Sequence, residues 1–421
     1  MNIEKIKIFL RPYYMRWWLL PSMVRKHESA IHDIRNRGYA NVVFFASNLS
    51  QWRYQGIVDL MDKDDKFRVS IILVPLESFS AEENQRNIRE LGSFFDEKQL
   101  PFIDSTQWKT ADDYDIRKKL QPDIMFYVQP YDHVFGNALD SKYYYDKLLC
   151  YLPYGIFTLI SKWSTNTWFQ NFSWKLFYET EDARALARKM MYNGGRNVIV
   201  VGNPNADAFL KPSHEDVWKP QNTLKKRIIW APHFTIDPSP VLHRGSFLWL
   251  WEAMLQFARE YKDCIQFAFK PHPRLKSVLY GFPDWGKERT DAYYAEWDSM
   301  ANTQLETSGF VDLFMTSDAM IHDCASFTIE YQYCKKPAMF VDAGSVAEKE
   351  QLIETSRRAR DLHYKGKNVS DVKGFIDRVV LGGDDPKKEE RRSFFEQYLL
   401  PPNNKTVAQN VYDEIVHSLW K

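Results

Sequence analysis

The sequence predicts an α/β protein with two doubly wound parallel-sheet domains. Its 421 residues exceed what one hydrophobic core usually organises. From residue 41 onward, short apolar runs alternate with longer segments of helical periodicity. A polar, proline-containing stretch at 211–226 divides this alternation into two series of similar length. A hydrophobic content of 44% with 26% charged residues excludes a disordered or fibrous chain.

The first series begins with a buried strand at 42–46 and a helix at 52–61. Further strands are predicted at 68–74, 101–103, 123–128 and 197–201, and further helices at 82–97, 112–120 and 181–192. Because strands separated by helices of this length pair in parallel, we expect a sheet wound with right-handed crossovers.

The second series repeats the pattern. Its strands are predicted at 227–231, 264–270, 319–322 and 338–342, and its helices at 246–261 and 327–333. An amphipathic helix with Thr406 as its N-cap ends the chain. The predicted organisation is an N-terminal segment at 1–38, a first domain at 39–210, a linker at 211–226, a second domain at 227–400, and a C-terminal segment at 401–421 whose helix packs back on the first domain. Such domains bind ligands in the cleft between them, at the carboxyl ends of their strands, which favours an enzyme that handles a nucleotide-activated donor.

Charge, cysteines and missing motifs narrow the function. With a net charge of +1, the protein as a whole has no electrostatic field that would attract nucleic acid. The four cysteines form no C-x-x-C pair, and no secretory h-region occurs in the given residues, so we expect a reducing, cytoplasmic location. Neither a P-loop, a G-x-G-x-x-G fingerprint, an H-E-x-x-H motif nor a G-x-S-x-G elbow occurs, which excludes the corresponding NTPases, dehydrogenases, zinc proteases and serine hydrolases.

The N-terminal segment is basic and rich in aromatic residues. Met1–His27 carries six lysines and arginines against Glu4, interleaved with Trp17, Trp18 and other apolar side chains. No apolar run is long enough to span a bilayer. One interpretation is an interfacial anchor on an anionic membrane, at its inner face. The other is a docking helix whose tryptophan face packs on its own domain.

Two loops after predicted strands combine histidine with cationic side chains. A strand stops at Pro232 and is followed by His233. The second loop holds His272 between two prolines, with Lys270 and Arg274 beside it. Lysine and arginine neutralise diphosphate oxygens, and an imidazole donates to a bridging or leaving oxygen. The sequence therefore predicts a diphosphate site here, against the alternative of an ordinary solvated or core histidine.

A third loop follows the strand at 319–322. Asp323 ends the strand, and a helix is predicted to start near Ser326. Its free N–H groups, with the hydroxyls of Ser326 and Thr328, suit a phosphate, and Glu330 lies one turn later, within reach of a ribose hydroxyl. The alternative is a plain helix cap.

An ordered set of strings gives the chain a family resemblance. The strings are Val201-Gly202-Asn203-Pro204-Asn205-Ala206-Asp207, Ala231-Pro232, Lys270-Pro271-His272-Pro273, and the run from Ser317-Asp318 through Asp323-Cys324-Ala325-Ser326 to Lys336-Pro337. Together they resemble the CDP-glycerol glycerophosphotransferase family of teichoic-acid primases and polymerases. The resemblance implies a GT-B-like fold, two Rossmann-like domains facing across a cleft. It also implies that the second domain holds the CDP moiety, with the loops at Lys270 and Asp323 on the diphosphate.

The resemblance implies transfer of a phosphopolyol, such as glycerol phosphate from CDP-glycerol, to a glycan or lipid-linked acceptor. His272, Lys270 and Arg274 are then assigned to the diphosphate and leaving group. The family usually carries a His-Gly pair in the first domain, where this chain has Tyr154 before a glycine. Because tyrosine is a poor base at neutral pH, His133 and His233 are the candidate bases. Nothing in the sequence requires a metal or another cofactor.

Two alternatives remain open. The same fold could serve a nucleotide-sugar glycosyltransferase of capsule or lipopolysaccharide synthesis, with aromatic rings at 163–174 stacking on sugars or simply filling the core. A non-catalytic polysaccharide-assembly protein is the other alternative, motivated by the missing His-Gly pair.

Overall fold

The structure, a computed structural model, describes residues 13–156, 158, 160, 165–236, 245–307, 309–342 and 352–421. The chain divides into two compact units. The first unit runs to Asp207 and includes Pro401–Lys421, and the second unit is Ala208–Leu400.

The first unit is built on a seven-stranded parallel sheet. Its strands are β1 (Ala40–Ala46), β2 (Phe67–Leu73), β3 (Ile103–Asp104), β4 (Ile124–Phe126), β5 (Leu148–Tyr151), β6 (Lys175–Tyr178) and β7 (Val198–Val200). Their spatial order is β3-β2-β1-β4-β5-β6-β7. This order reverses direction at β1, as in a doubly wound fold.

Helices cover this sheet. They are α1 (Leu20–Arg37), α2 (Gln55–Met61), α3 (Ala81–Glu97), α4 (Ile116–Lys119), α5 (Trp168–Phe172) and α6 (Glu181–Met190), with α7 (Ala206–Phe209) at the boundary between the units. A π-helical turn, Met15–Leu19, leads directly into α1. Short 3₁₀ turns occur at Leu49–Gln51, Ser105–Gln107 and Ser141–Tyr143.

The second unit contains a six-stranded parallel sheet. Its strands are β8 (Lys226–Ala231), β9 (Ile265–Phe269), β10 (Thr303–Leu305), β11 (Ala319–His322), β12 (Ala338–Val341) and β13 (Tyr364–Gly366). The order is β10-β9-β8-β11-β12-β13, again reversing at the first strand of the unit. The predicted pair of doubly wound α/β domains is therefore confirmed.

Helices of the second unit are α8 (Phe247–Glu260), α9 (Leu275–Tyr280), α10 (Gly286–Ser299), α11 (Val311–Thr316), α12 (Phe327–Glu330), α13 (Glu354–Asp361), α14 (Val369–Gly374) and α15 (Lys388–Phe394). A 3₁₀ turn, Tyr331–Cys334, extends α12, and π-helical segments Phe375–Leu381 and Phe395–Leu399 extend α14 and α15. A further 3₁₀ turn, Pro402–Asn404, precedes α16 (Val407–Trp420), which belongs to the first unit.

The strands β4, β5, β9, β11 and β12 are buried along their whole length, which explains their continuous apolar sequences. In the first unit, the rings of Phe44 and Phe126 stack across neighbouring strands with centroids 4.5 Å apart. In the second, the fully buried Trp230 stacks on Phe269 with centroids 4.9 Å apart. Aromatic pairs thus form the centre of each core, and much of the 15% aromatic content is used there.

Helix α16 is joined to the first unit by its N-terminus. The Thr406 hydroxyl accepts the Gln409 N–H at 3.1 Å, which confirms the predicted N-cap. The carboxylate of Asp207 accepts the N–H groups of Val407 and Ala408 at 2.7 and 2.9 Å. A negative charge is favourable at this end of a helix because the first N–H groups point out of it.

The stretch 211–226, expected to be a linker, belongs to the second unit and has no helix or strand before Lys226. Its Trp218 is buried, and the indole N–H donates to the Thr316 hydroxyl at 3.1 Å. In the described part of the chain, no helix is both long enough and apolar enough to cross a membrane.

Candidate functional site

The register of the second sheet places three strand ends side by side. Trp230 of β8 pairs with Phe269 of β9, and Ala231 pairs with His322 of β11. The loops that begin at Pro232, Lys270 and Asp323 therefore leave the same edge of the sheet at the same level. These are the three loops that the sequence singled out, and they are called the three-loop site below.

The His272 loop is held by backbone hydrogen bonds to the loop beside it. The Lys270 N–H donates to the Trp230 carbonyl at 2.8 Å, and the His272 N–H donates to the Pro232 carbonyl at 3.0 Å. The imidazole is fixed as well, because its Nδ1 accepts the Arg274 N–H at 3.1 Å. With Nδ1 used as an acceptor, the neutral ring carries its proton on Nε2.

His233 repeats this arrangement in the neighbouring loop. Its Nδ1 accepts the Thr235 N–H at 3.4 Å and lies 3.0 Å from the Thr235 hydroxyl. With Nδ1 used as an acceptor, this ring carries its proton on Nε2. Both loops therefore use the amide two residues later to orient an imidazole as an Nε2–H donor.

The two imidazoles form a cluster with an aromatic ring and a guanidinium. The His233 and His272 ring centroids are 4.8 Å apart, and the Phe234 centroid lies 4.5 Å from that of His272. The Arg274 guanidinium lies over the Phe234 ring at 4.5 Å. Because Phe234 contacts both His272 and Arg274, it links the cationic side chain to the imidazole pair.

Burial alters the charges in the three-loop site. The pKa of His272 is lowered to about 3, first by burial and then by His233 and Arg274, so the ring is neutral at physiological pH. Burial also lowers the pKa of Lys270 to about 8, although the Glu306 carboxylate opposes this shift. Sequence reasoning missed Glu306, which directly follows β10. An acidic residue directly after a strand of a parallel sheet is the signal that could have found it.

Asp323 is not placed as expected for a side chain that binds a nucleotide. Its side chain is fully buried, and its carboxylate accepts the His233 N–H and both the N–H and the hydroxyl of Ser246, at 2.5–2.6 Å. Ser246 immediately precedes α8. Asp323 therefore ties the His233 loop to the start of that helix instead of facing a ligand.

The remaining residues of the third loop are also more enclosed than predicted. Thr328 and Glu330 are 3% and 4% exposed, and the Thr328 hydroxyl donates to the Cys324 carbonyl at 3.4 Å. The Ser326 hydroxyl is half-buried, 3.4 Å from the Cys324 sulfur. Helix α12 has only four residues before it tightens into a 3₁₀ turn, and Ser326 makes no side-chain cap. Of these three hydroxyl and carboxyl groups, Ser326 is the one best placed to reach a phosphate.

The remaining candidates, His133 and Tyr154, belong to the first unit. His133 is exposed, in the loop after β4, with Lys142 Nζ 3.4 Å and an Asp140 carboxylate oxygen 4.0 Å from its Nδ1. Tyr154 follows β5, and burial together with Tyr131 raises the pKa of its phenol. A phenol with a raised pKa stays protonated at neutral pH.

The aromatic residues at 163–174 are mainly core residues. Phe169, Phe172 and Trp174 are buried, and Trp168 packs partly buried against Phe172. Trp163 lies outside the described residues. Across the described ranges, no three His, Cys, Asp or Glu side chains are grouped as metal ligands.

Solved structures with the same fold include sugar-nucleotide enzymes and a polymerase. A putative UDP-N-acetylglucosamine 2-epimerase from Listeria monocytogenes matches with 15% identity and a TM-score of 0.58, over 91% of this chain and 97% of its own. The UDP-GlcNAc 2-epimerase of Neisseria meningitidis bound to UDP-GlcNAc matches with 12% identity and a TM-score of 0.55, over 90% and 99%. The wall teichoic acid polymerase TagF matches with 11% identity and a TM-score of 0.51, over 100% and 98%. At these identities the likeness establishes the fold, and it agrees with the GT-B-like class predicted from sequence.

No curated protein sequence matches this chain. A family model described as CDP-glycerol:poly(glycerophosphate) glycerophosphotransferase matches residues 160–417, which include all three loops. The chain therefore belongs to the CDP-glycerol glycerophosphotransferase family and is a transferase that acts on a cell-surface polymer.

Proposed function

We propose that the three-loop site binds the diphosphate of CDP-glycerol or a related CDP-polyol, and that the enzyme transfers the polyol phosphate to a hydroxyl of a lipid-linked or glycan acceptor at the inner face of the membrane. The observation that carries this proposal is the pair of imidazoles, His233 and His272, each oriented as an Nε2–H donor beside Lys270 and Arg274. Two imidazole N–H donors and two cations match an anion with several oxygens.

The reaction places its largest charge change on the departing CMP. The acceptor oxygen forms a bond to the phosphorus that bears the glycerol, and the bond from that phosphorus to the bridging oxygen breaks. CMP leaves with the electron pair, and the hydroxyl proton passes to a base. Because negative charge grows on CMP as this bond breaks, Lys270, Arg274 and the two imidazoles stabilise the transition state more than the bound donor.

The sequence allowed His233 to be either a base or a residue that binds the diphosphate. Because its Nδ1 accepts the Thr235 N–H, His233 fits better as a hydrogen-bond donor to the diphosphate. The first unit contains four histidines: His27 and His32 in α1, His133, and His417 in α16. His133 alone of these four follows a strand, beyond the carboxyl end of β4, where side chains of a doubly wound sheet meet ligands. We therefore assign the base to His133.

A titration with a panel of nucleotide donors tests the donor class. We expect CDP-glycerol or CDP-ribitol to bind the wild-type enzyme by isothermal calorimetry, and UDP-N-acetylglucosamine and GDP-mannose to bind far more weakly. Binding of a UDP- or GDP-sugar with no binding of either CDP-polyol would overturn the proposal in favour of a glycosyltransferase.

A matched pair of alanine variants tests the division of roles. His233→Ala is expected to weaken CDP-glycerol binding, because one donor to the diphosphate is lost. His133→Ala is expected to leave CDP-glycerol binding intact and to lower the rate of CMP release with acceptor by about a hundredfold, the usual contribution of a general base. If His133→Ala retains full turnover while His233→Ala binds donor normally but is inactive, the two roles are reversed.

A further inference from the structure

Arg274 differs in its surroundings from other arginines of the second unit. Arg227, Arg259 and Arg391 each pair with an aspartate or glutamate carboxylate. In the part of the chain that the structure describes, no carboxylate pairs with the exposed Arg274 side chain, and no acceptor is hydrogen-bonded to it. Its guanidinium lies instead over the Phe234 ring, 4.5 Å from the centroid. The side chain that holds this cation is therefore an aromatic ring.

Phe234 is a fixed support for that contact. Its half-buried ring packs against the hydrophobic core of the second unit. Its carbonyl accepts the Ile236 N–H at 2.9 Å, and the N–H of the preceding His233 donates to the Asp323 carboxylate at 2.5 Å. The backbone is therefore bonded on both sides of Phe234, and the long Arg274 side chain contacts a ring whose position is set by the core.

The same ring contacts both imidazoles of the three-loop site. Its centroid lies 4.4 Å from that of His233 and 4.5 Å from that of His272. Residue 274 is in turn joined to His272 through its backbone, because the Arg274 N–H donates to Nδ1 at 3.1 Å. Phe234 therefore sets the spacing between the guanidinium and the two imidazoles, which are three of the four groups assigned to the diphosphate.

An aromatic ring holds a cation without occupying its hydrogen-bond donors. The attraction acts between the positive charge and the negative face of the π-system. A carboxylate partner would accept hydrogen bonds from two guanidinium N–H groups and would offset the charge. In the contact with Phe234, the five side-chain N–H donors of Arg274 stay available, and its charge is not neutralised. This arrangement suits an arginine whose partner is an anionic ligand.

We infer that Phe234 is a positioning residue that acts through Arg274: its π-face holds the guanidinium beside the imidazole pair, where the N–H groups meet the diphosphate of the donor. The inference rests on the proposed function and adds to it a side chain that touches no reacting atom. Loss of the ring should weaken diphosphate binding only while Arg274 is present. An aliphatic side chain of similar size cannot replace the ring, whereas another aromatic ring can.

A double-mutant cycle on the full chain tests this dependence, with nucleotide affinity measured by isothermal calorimetry. Arg274→Ala keeps the backbone N–H that bonds His272 and should weaken CDP-glycerol binding by at least about tenfold. Phe234→Leu should weaken binding by about fivefold to tenfold in the wild-type background. In the Arg274→Ala background, the same leucine substitution should change the affinity by less than about twofold, because the two side chains act as one unit.

Conservative and matched variants separate positioning from a loss of folding. Phe234→Tyr keeps an aromatic face and should bind CDP-glycerol within about twofold of the wild type. In a Lys270→Ala background, Phe234→Leu should still weaken binding by about fivefold to tenfold, because the effect of the ring is transmitted by Arg274 and not by Lys270. Melting temperatures show whether each variant is folded under the conditions of the titration.

Three results would overturn the inference. Equal effects of Phe234→Leu in the wild type and in Arg274→Ala would show that the ring acts independently of the guanidinium. An effect that persists in Arg274→Ala but disappears in His272→Ala would assign the ring to the imidazole. Wild-type affinity of Phe234→Leu would show that binding does not need the ring.

The donor assignment is judged separately, on the wild type. If the wild type binds UDP-N-acetylglucosamine and not CDP-glycerol, the donor assignment fails, and the same cycle is measured with the UDP-sugar, which also carries a diphosphate. Coupling between positions 234 and 274 would then uphold the positioning role without the CDP-polyol. Binding of neither nucleotide would overturn both proposals.

Discussion

At His272 the backbone decides which ring nitrogen is available. The sequence identified this residue through its two prolines and its cationic neighbours. It could not show that the Arg274 amide occupies Nδ1, nor that His233 repeats the arrangement 4.8 Å away. Those facts depend on loop conformation and on the pairing of distant strands. His233 is therefore reassigned from candidate base to candidate hydrogen-bond donor that contacts the diphosphate.

Lys270 gives the site a pH dependence. Its pKa is lowered to about 8 by burial, so the free enzyme loses this charge as pH rises through that value. The anionic nucleotide donor stabilises the charged form of the Lys270 amine, so it binds to the protonated enzyme. At high pH, where this amine is neutral in the free enzyme, binding is therefore coupled to uptake of a proton by Lys270. We expect the affinity for CDP-glycerol to fall between about pH 7 and about pH 9.5. Calorimetric titration should show Lys270→Arg with a flat profile, because arginine stays charged. Parallel profiles for the two proteins would contradict this role for Lys270.

Asp323 is predicted to be a positioning residue. Asp323→Ala leaves the His233 N–H and the N–H and hydroxyl of Ser246 without their acceptor, and each buried unsatisfied donor costs about 1–3 kcal/mol. Urea unfolding should show a loss of at least about 2 kcal/mol, with a smaller loss for Asp323→Asn, which keeps one acceptor oxygen. The exposed Asp384→Ala serves as control. An Asp323→Ala protein as stable as that control would show that the tie between loop and helix is unimportant.

At the scale of elements, periodicity predicted where strands lie but not how they are ordered. The strands at β1, β2, β8, β9, β11 and β12 were placed within about two residues of their observed limits. The sequence missed β5, β6, β10 and β13, which have three or four residues each and therefore offer little periodicity. The order β9-β8-β11, which assembles the three-loop site, appears only in the structure.

The N-cap of α16 gives an element-level prediction. Thr406→Ala removes the acceptor for the Gln409 N–H and should cost about 1 kcal/mol of unfolding free energy, whereas Thr406→Ser should cost much less. Denaturant unfolding of both variants checks this. Equal stability of alanine and serine at this position would mean that the Asp207 carboxylate caps the helix without help from residue 406.

At the scale of the whole molecule, buried histidines link stability to pH. Burial lowers the pKa of His27 to about 4 and that of His363 and His272 to about 3. In the unfolded chain each histidine returns to about 6.5. Below about pH 6.5 the unfolded state therefore binds more protons than the folded state. The stability that the neutral rings contribute is fully present above this pH and is lost as the pH falls.

The corresponding measurement is the urea midpoint as a function of pH. We expect the midpoint to be constant just above about pH 6.5 and to decrease steadily from there to about pH 4. Replacement of the fully buried His363 by Gln should make this decrease shallower, because one of the three protons is no longer taken up. A midpoint that stays constant over the whole interval would contradict the neutral, buried state of these rings.

The most direct test of the three-loop site is CMP release from CDP-glycerol by the wild type and by His272→Ala, measured by chromatography with a lipid-linked acceptor in vesicles. The wild-type enzyme should release CMP in proportion to acceptor, and His272→Ala, with an unchanged melting temperature, should lose turnover by at least about a hundredfold because one diphosphate donor is missing. Full turnover by a folded His272→Ala enzyme would contradict the assignment of these loops to the diphosphate.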